Sequence, residues 1–127
     1  MGPTENYCDL CRHAKVGLYE SDAKKEYVPY ILPQEYGNHT RTKEVNMKSG
    51  MSFVANDTME FQVSHYSVDR MCHTSHAHDL KEEDATYIRI DYKNAGIGSA
   101  SCGPQLDSKY RFTEKEFDFS FSIVNNA

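Results

Sequence analysis

The amino-acid sequence predicts an all-β fold, an antiparallel β-sandwich with one or two short helices. Three observations carry this expectation. Apolar and polar residues alternate over 45–65, 88–92 and 117–123, the period-two pattern of strands that bury one face. Turn-forming residues separate the runs, as at Lys48-Ser49-Gly50. Strands with a single apolar face need a second layer to cover it, and two packed sheets supply one.

Taken in order, residues 1–13 read as irregular and 16–19 as a short strand. The polar stretch 20–26 suits a helical turn. Tyr27-Val28-Pro29-Tyr30-Ile31-Leu32-Pro33 is extended, because each proline drives its predecessor out of the helical region. Val45 and Met47 alternate with polar neighbours up to the turn at Lys48-Ser49-Gly50. Met51, Phe53 and Ala55 alternate again, and Asn56-Asp57-Thr58 offers a second turn. Met59, Phe61, Val63 and His65 then share one face, with Glu60, Gln62 and Ser64 opposite. The expectation is a three-strand meander. Ser67 caps a short helix over 68–73. Ile88, Ile90 and Tyr92 mark a strand with Arg89 and Asp91 outward, and Tyr110 and Phe112 mark a short one. In the last strand Phe117, Phe119, Phe121 and Ile123 form a core face, with Glu116, Asp118, Ser120 and Ser122 on the other.

A chain of 127 residues suits one domain, 1–127. It contains no internal repeat. Its net charge of −5, without a basic block, argues against nucleic acid as a partner. No apolar run is long enough to cross a bilayer, so no membrane association is expected. Residues 1–6 lack the pattern of an export leader. A cytoplasmic location is the expectation, with a periplasmic or secreted parent as the alternative. The sequons at Asn38 and Asn56 are read as chance matches, and Cys8, Cys11, Cys72 and Cys102 as free thiols.

The segment from Tyr92 to Pro104 is rich in glycine and serine and follows a strand. Gly96 and Gly98 permit backbone angles that other residues resist, so a tightly shaped loop is expected. Cys8-Asp9-Leu10-Cys11 has the spacing of a metal knuckle, but a structural zinc site needs a second pair. His76 and His78 with His65 or Asp79 could hold a transition metal, but no ligand pattern of fixed spacing is completed. Packing and hydrogen bonding at a helix-to-strand corner is the reading adopted. Glu5 and Glu35 stand in loop-like segments, whereas Glu82-Glu83-Asp84 is a solvated turn. No catalytic carboxylate pair and no nucleophile elbow can be assigned.

Five blocks fall in a common order. They are Gly2-Pro3-Thr4-Glu5-Asn6-Tyr7-Cys8-Asp9, Tyr27 through Asn38, Phe61-Gln62-Val63-Ser64-His65-Tyr66-Ser67, Thr74-Ser75-His76-Ala77-His78-Asp79-Leu80, and Ile90-Asp91-Tyr92-Lys93 followed by Gly96-Ile97-Gly98. In this order the chain resembles the bacterial β-galactosidases of glycoside hydrolase family 2. The part resembled is the later portion of their C-terminal, small-chain domain.

The resemblance implies part of a supersandwich similar to the galactose mutarotase fold. It implies a non-catalytic C-terminal fragment, with the two catalytic glutamates on a TIM barrel outside this chain. That barrel and a galactoside are the implied partners. No cofactor is implied for this chain, the family's Mg and Na ions sitting outside the segment. The loop after Gly-x-Gly reaches the active-site mouth in the family, so Gly96, Gly98, Ser99, Ser101 and Cys102 are implied to line its aglycone side. Cys102 stands near the family's stacking tryptophan, and this chain has no tryptophan. Tyr36 and His39 replace the usual asparagine and arginine. The isolated chain is expected to be inactive and to self-associate, because cutting the supersandwich exposes strand faces.

Two other functions remain open. An autonomous carbohydrate-binding module would display Tyr27, Tyr30 and Tyr36. A mutarotase-type enzyme would use His65, His76 or His78 with a glutamate.

Overall fold

The computed structural model describes residues 1–98 and 104–125. The chain is all-β, and among the described residues a four-stranded sheet is organised around β2, Met51–Ser64. Strand β1, His39–Asn46, runs antiparallel along one edge of β2. Strands β3, Tyr87–Asp91, and β4, Phe121–Asn125, share the other edge. β4 covers the first part of β2 (Phe53 opposite Ile123), and β3 the last part (Gln62 opposite Arg89). The chain between β3 and β4 therefore leaves the sheet opposite Glu60 and rejoins it opposite Ala55.

The hairpin β1–β2 turns where expected. Gly50 adopts φ +90, a left-handed conformation that glycine takes without a steric penalty. Its N–H donates to the Met47 carbonyl at 3.0 Å, and the Met47 N–H donates to Met51.

The second expected turn is a correction. Asn56-Asp57-Thr58 does not reverse the chain but lies within β2. Thr42 faces Met59 and Glu44 faces Val54, so two steps along β1 match five along β2. The extra residues are taken up as a bulge, which accommodates polar, turn-forming side chains without ending the strand. Arg41, on β1 beside this bulge, adopts φ +52. Hence β1 and β2 form a two-strand hairpin, not a three-strand meander.

Val45, Phe53, Ala55 and Met59 form the buried apolar cluster, with Met47, Phe61, Ile88, Ile90 and Phe119 packed around it. Cross-strand partners share a face, which is why these residues meet. The other face of β2 is polar yet buried: Ser52, Glu60, Gln62 and Ser64. It is overlaid by the irregular chain before β1, through bonds from Glu35, Tyr36 and Asn38. Among the described residues this irregular layer stands where a second sheet was expected.

Helix α1, Val68–Cys72, forms as predicted, with Ser67 Oγ accepting from the Arg70 N–H. Short 3-10 turns follow at Ala77–Asp79 and Ser108–Tyr110. Two expected strands are absent from the described residues. Residues 16–19 are irregular, because only Lys15 pairs, with Gly2, and no sheet edge lies beside them. Tyr110 ends a 3-10 turn, and Phe112 lies in irregular chain after the bend at Arg111.

The last strand begins at Phe121, later than its alternation suggests. Phe117 and Phe119 leave the ladder to pack on Tyr92, Phe117 stacking with ring centres 4.5 Å apart. The expected core face of this strand is exposed: Ile123 shows 62% of its surface. Leu18 and Ile31 are exposed at 99% and 97%. Such surface favours association between chains. Sedimentation of the isolated chain is expected to give a dimer or larger species. A concentration-independent monomer would contradict this.

Candidate functional site

The candidate site is the glycine loop that leaves β3. Asn94 shapes its start. Its side-chain oxygen accepts from the Gly96 N–H at 3.0 Å, and its Nδ2 donates to Glu35 Oε1 at 2.6 Å. Gly96 has φ +84. The next two N–H groups both donate to one carboxylate: Ile97 to Asp9 Oδ1 at 3.1 Å and Gly98 to Asp9 Oδ2 at 2.8 Å. A Cβ at Gly96 would stand 2.6 Å from Asp9 Oδ1, and one at Gly98 would stand 3.0 Å from Oδ2. Glycine is thus required at 96 by backbone angle and by the close approach of the acid.

Asp9 sits in a tight turn, where Tyr7 and Leu10 exchange two backbone bonds of 3.0 Å. Its neighbour Cys8 directs its thiol to the carbonyls of Asn94 and Tyr110. Burial, followed by the charges of Asp9 and Glu60, pushes that thiol's pKa up, which keeps it protonated and able to donate. The Cys-x-x-Cys turn is therefore a loop anchor. Cys8, Cys11 and Cys72 are free thiols. Ser99, Ser101 and Cys102 lie outside the described residues.

Glu35 ties this loop to the sheet. Its Oε1 accepts from Gln62 at 2.8 Å, from Asn94 and from Arg89, and Arg89 Nε donates to Asp91 at 2.7 Å. Arg89 and Asp91, expected to point outward, are half-buried in this network.

A deeper layer lies behind it. Asn38 Nδ2 donates to Glu60 Oε2 at 2.7 Å and to the Asn6 carbonyl at 3.1 Å. Glu60 lines a cleft of about 790 Å³ with Arg41, Tyr92, Lys93, Asn94 and Phe112. Burial raises its pKa, against the opposing bonds from Asn38 and the Asn94 N–H. An acid whose pKa is raised on folding adds most stability while protonated, and that contribution is lost as pH rises through the folded pKa. The stability of the native chain relative to Glu60→Gln is therefore expected to fall as pH rises from the ordinary carboxylate range through the raised folded pKa. Thermal unfolding across that range checks it, and a relative stability that rises with pH would contradict it.

His39 bonds Glu26 at 2.7 Å and the Met1 carbonyl at 3.0 Å, and stacks on Phe61. Burial alone would raise the Glu26 pKa, but bonds from His39 and Ser21 outweigh it and hold the carboxyl low.

The other sequence candidates are used structurally. Tyr27, Tyr36 and Tyr66 pack edge to face or tilted against one another. Tyr36 is buried, its hydroxyl 2.7 Å from Ser64 Oγ, and Tyr30 donates to Glu5 at 2.6 Å. Tyr27, Tyr30 and Tyr36 therefore do not form an exposed sugar platform. His65 bonds the Ala85 carbonyl. His76 and His78 stack on each other around the Ala77–Asp79 turn. Among the described residues no three His, Cys, Asp or Glu side chains converge as a metal set.

The family model described as "Beta galactosidase small chain" matches residues 1–123. The chain is similar to the "Beta-galactosidase" of Actinobacillus pleuropneumoniae, 37% identical over 97% of this chain and 12% of that protein. It is similar to that of Staphylococcus xylosus, 40% identical over 74% of this chain and 10% of that protein. It is also similar to that of Kluyveromyces lactis, 37% identical over 97% of this chain and 12% of that protein. The chain thus spans little more than a tenth of these relatives. With the glycine loop, its anchors and the strand order in place, the chain belongs to the β-galactosidase small-chain family.

Proposed function

We propose that this polypeptide is a C-terminal portion of a β-galactosidase that packs on the catalytic barrel and shapes the aglycone side of its active site. Acid and nucleophile come from that barrel, where two carboxylates divide the chemistry. This segment contributes surface and a fixed loop. The one observation that carries the reading is the pinning of Gly96-Ile97-Gly98 by Asp9, with Asn94 and Glu35 behind it. A loop held at several points up to Gly98 has a fixed point of departure, as substrate positioning requires. Lacking tryptophan, it offers the leaving group a small, mildly polar surface instead of a stacking ring. The exposed Leu18 and Ile31 support burial against the rest of a longer chain. The free thiols suit a reducing, cytoplasmic setting.

Deleting residues 96–104 in the full enzyme tests the loop. The expected result is a kcat/KM that falls unevenly across galactosides with different leaving groups. Unchanged kinetics on every aglycone would remove the pocket role.

A further inference from the structure

We propose that Asp9 is a positioning residue for leaving-group specificity, acting through the backbone of the glycine loop; this rests on the reading of that loop given above. Four observations carry the inference. Both oxygens of the carboxylate are engaged, one by each of two successive N–H groups, across 88 and 89 residues of sequence. A carboxylate bound in this way fixes two successive peptides, Gly96–Ile97 and Ile97–Gly98, relative to each other and to the Asp9 turn. The residues on either side of Ile97 are glycines whose missing side chains make room for this acid and, at Gly98, for nothing else within 4 Å. The acid itself is carried on a turn closed by two backbone bonds, so it does not yield easily.

The alternative of a solvated surface acid fails on the same geometry. Asp9 has no ion-pair partner among the described residues. Its charge is answered by the loop's N–H groups. These groups immediately precede Ser99 in the sequence, the first residue that the resemblance implies to face the leaving group. Asp9 touches no substrate in this scheme, and its effect is on where the loop stands.

The test uses the full-length galactosidase that carries this segment, with Asp9→Asn and Asp9→Ala. Asn keeps the size of the side chain and one acceptor but sets an NH2 against an N–H donor. It therefore remains informative where Ala disturbs folding. Three quantities are read: kcat/KM for lactose and for a nitrophenyl galactoside, the inhibition constant of free galactose, and amide hydrogen exchange at Ile97 and Gly98. Displacement of the loop is expected to change the ratio of the two kcat/KM values by about ten-fold or more. The galactose constant should stay the same, because galactose has no leaving group. Exchange at both amides should accelerate.

A second pair of variants probes the contact itself. Gly98→Ala should disturb the ratio strongly in the native enzyme and little in Asp9→Ala, since the added methyl then meets no acid. Equal changes in lactose, nitrophenyl galactoside and galactose would reveal a general structural role and overturn the proposal. So would unchanged ratios in Asp9→Asn and Asp9→Ala. If those ratios are unchanged while deletion of 96–104 alters them, the loop reading stands and the Asp9 inference alone falls. If the deletion is also silent, both fall.

Discussion

Replacing Asn6 with alanine is expected to destabilise the chain by about 3–5 kcal/mol. Asn6 is 0% exposed. Its Nδ2 donates to the carbonyls of Met1 and Thr4 at 3.1 and 3.0 Å, and its Oδ1 accepts from the Thr40 N–H and hydroxyl at 3.0 and 2.6 Å. Alanine removes all four bonds. Each buried group left without a partner costs about 1–3 kcal/mol, so two or three such groups account for the total.

The effect is larger than at an exposed site because Asn6 joins two layers. Its backbone also exchanges bonds with Asn38, which in turn holds Glu60 of β2. Loss of Asn6 therefore loosens the irregular N-terminal layer from the sheet. Urea unfolding at one fixed chain concentration measures it, as a lower midpoint with an unchanged slope. A loss under about 1 kcal/mol would mean that this layer contributes little. Asn6→Asp gives a control: it keeps an acceptor for Thr40 but opposes a carboxylate to two carbonyls, so it too should destabilise.

What was legible in the sequence follows from the range of the interactions involved. Ser67 and α1 depend on bonds within one turn, and both appear where the residues indicate. Lys48-Ser49-Gly50 likewise closes a local hairpin. Asn56-Asp57-Thr58 was misleading because turn-forming residues mark a departure from the ladder and do not say whether the chain reverses. Only pairing with β1 and β4 decides that, and it makes a bulge. Phe117 and Phe119 alternate like strand residues, yet stacking on Tyr92 draws them away.

The candidate site divides in the same way. Gly96 and Gly98 stand out as small residues after a strand. Asp9 does not, because its partners are 88 and 89 residues distant and its local setting, between two cysteines, suggests metal or redox chemistry. Glu35 was noticeable only as a carboxylate in a loop, and its three donors come from β2, β3 and the glycine loop. Alternation placed Glu60, Gln62 and Ser64 on a polar face of β2 and said nothing of what covers it. It is buried because the segment before β1 supplies hydrogen bonds instead of apolar contacts.

On the proposed reading, the largest effect on activity is expected from removing the whole segment from a galactosidase that carries it. Leu18, Val16, Ile31 and Leu32 lie on the irregular layer, and Phe117, Phe121 and Ile123 lie along the run into and through β4. Burying such residues yields roughly 25 cal/mol per Å² of apolar surface removed from water, so a few hundred Å² stabilises an interface by several kcal/mol before the cost of association. A remainder cut before this segment would lose that interface and the loop together. It should misassemble, or bind the leaving-group side of its substrate poorly.

The central claim is that this chain supplies shape to chemistry carried elsewhere. Its most direct test is the rate of galactoside hydrolysis by the purified chain, by the rest of the enzyme without it, and by the two combined. The account predicts no turnover by the chain, little or none by the remainder, and restored turnover when the two are mixed. Hydrolysis by the chain alone at an enzymatic rate, or full activity of the remainder without it, would contradict the claim.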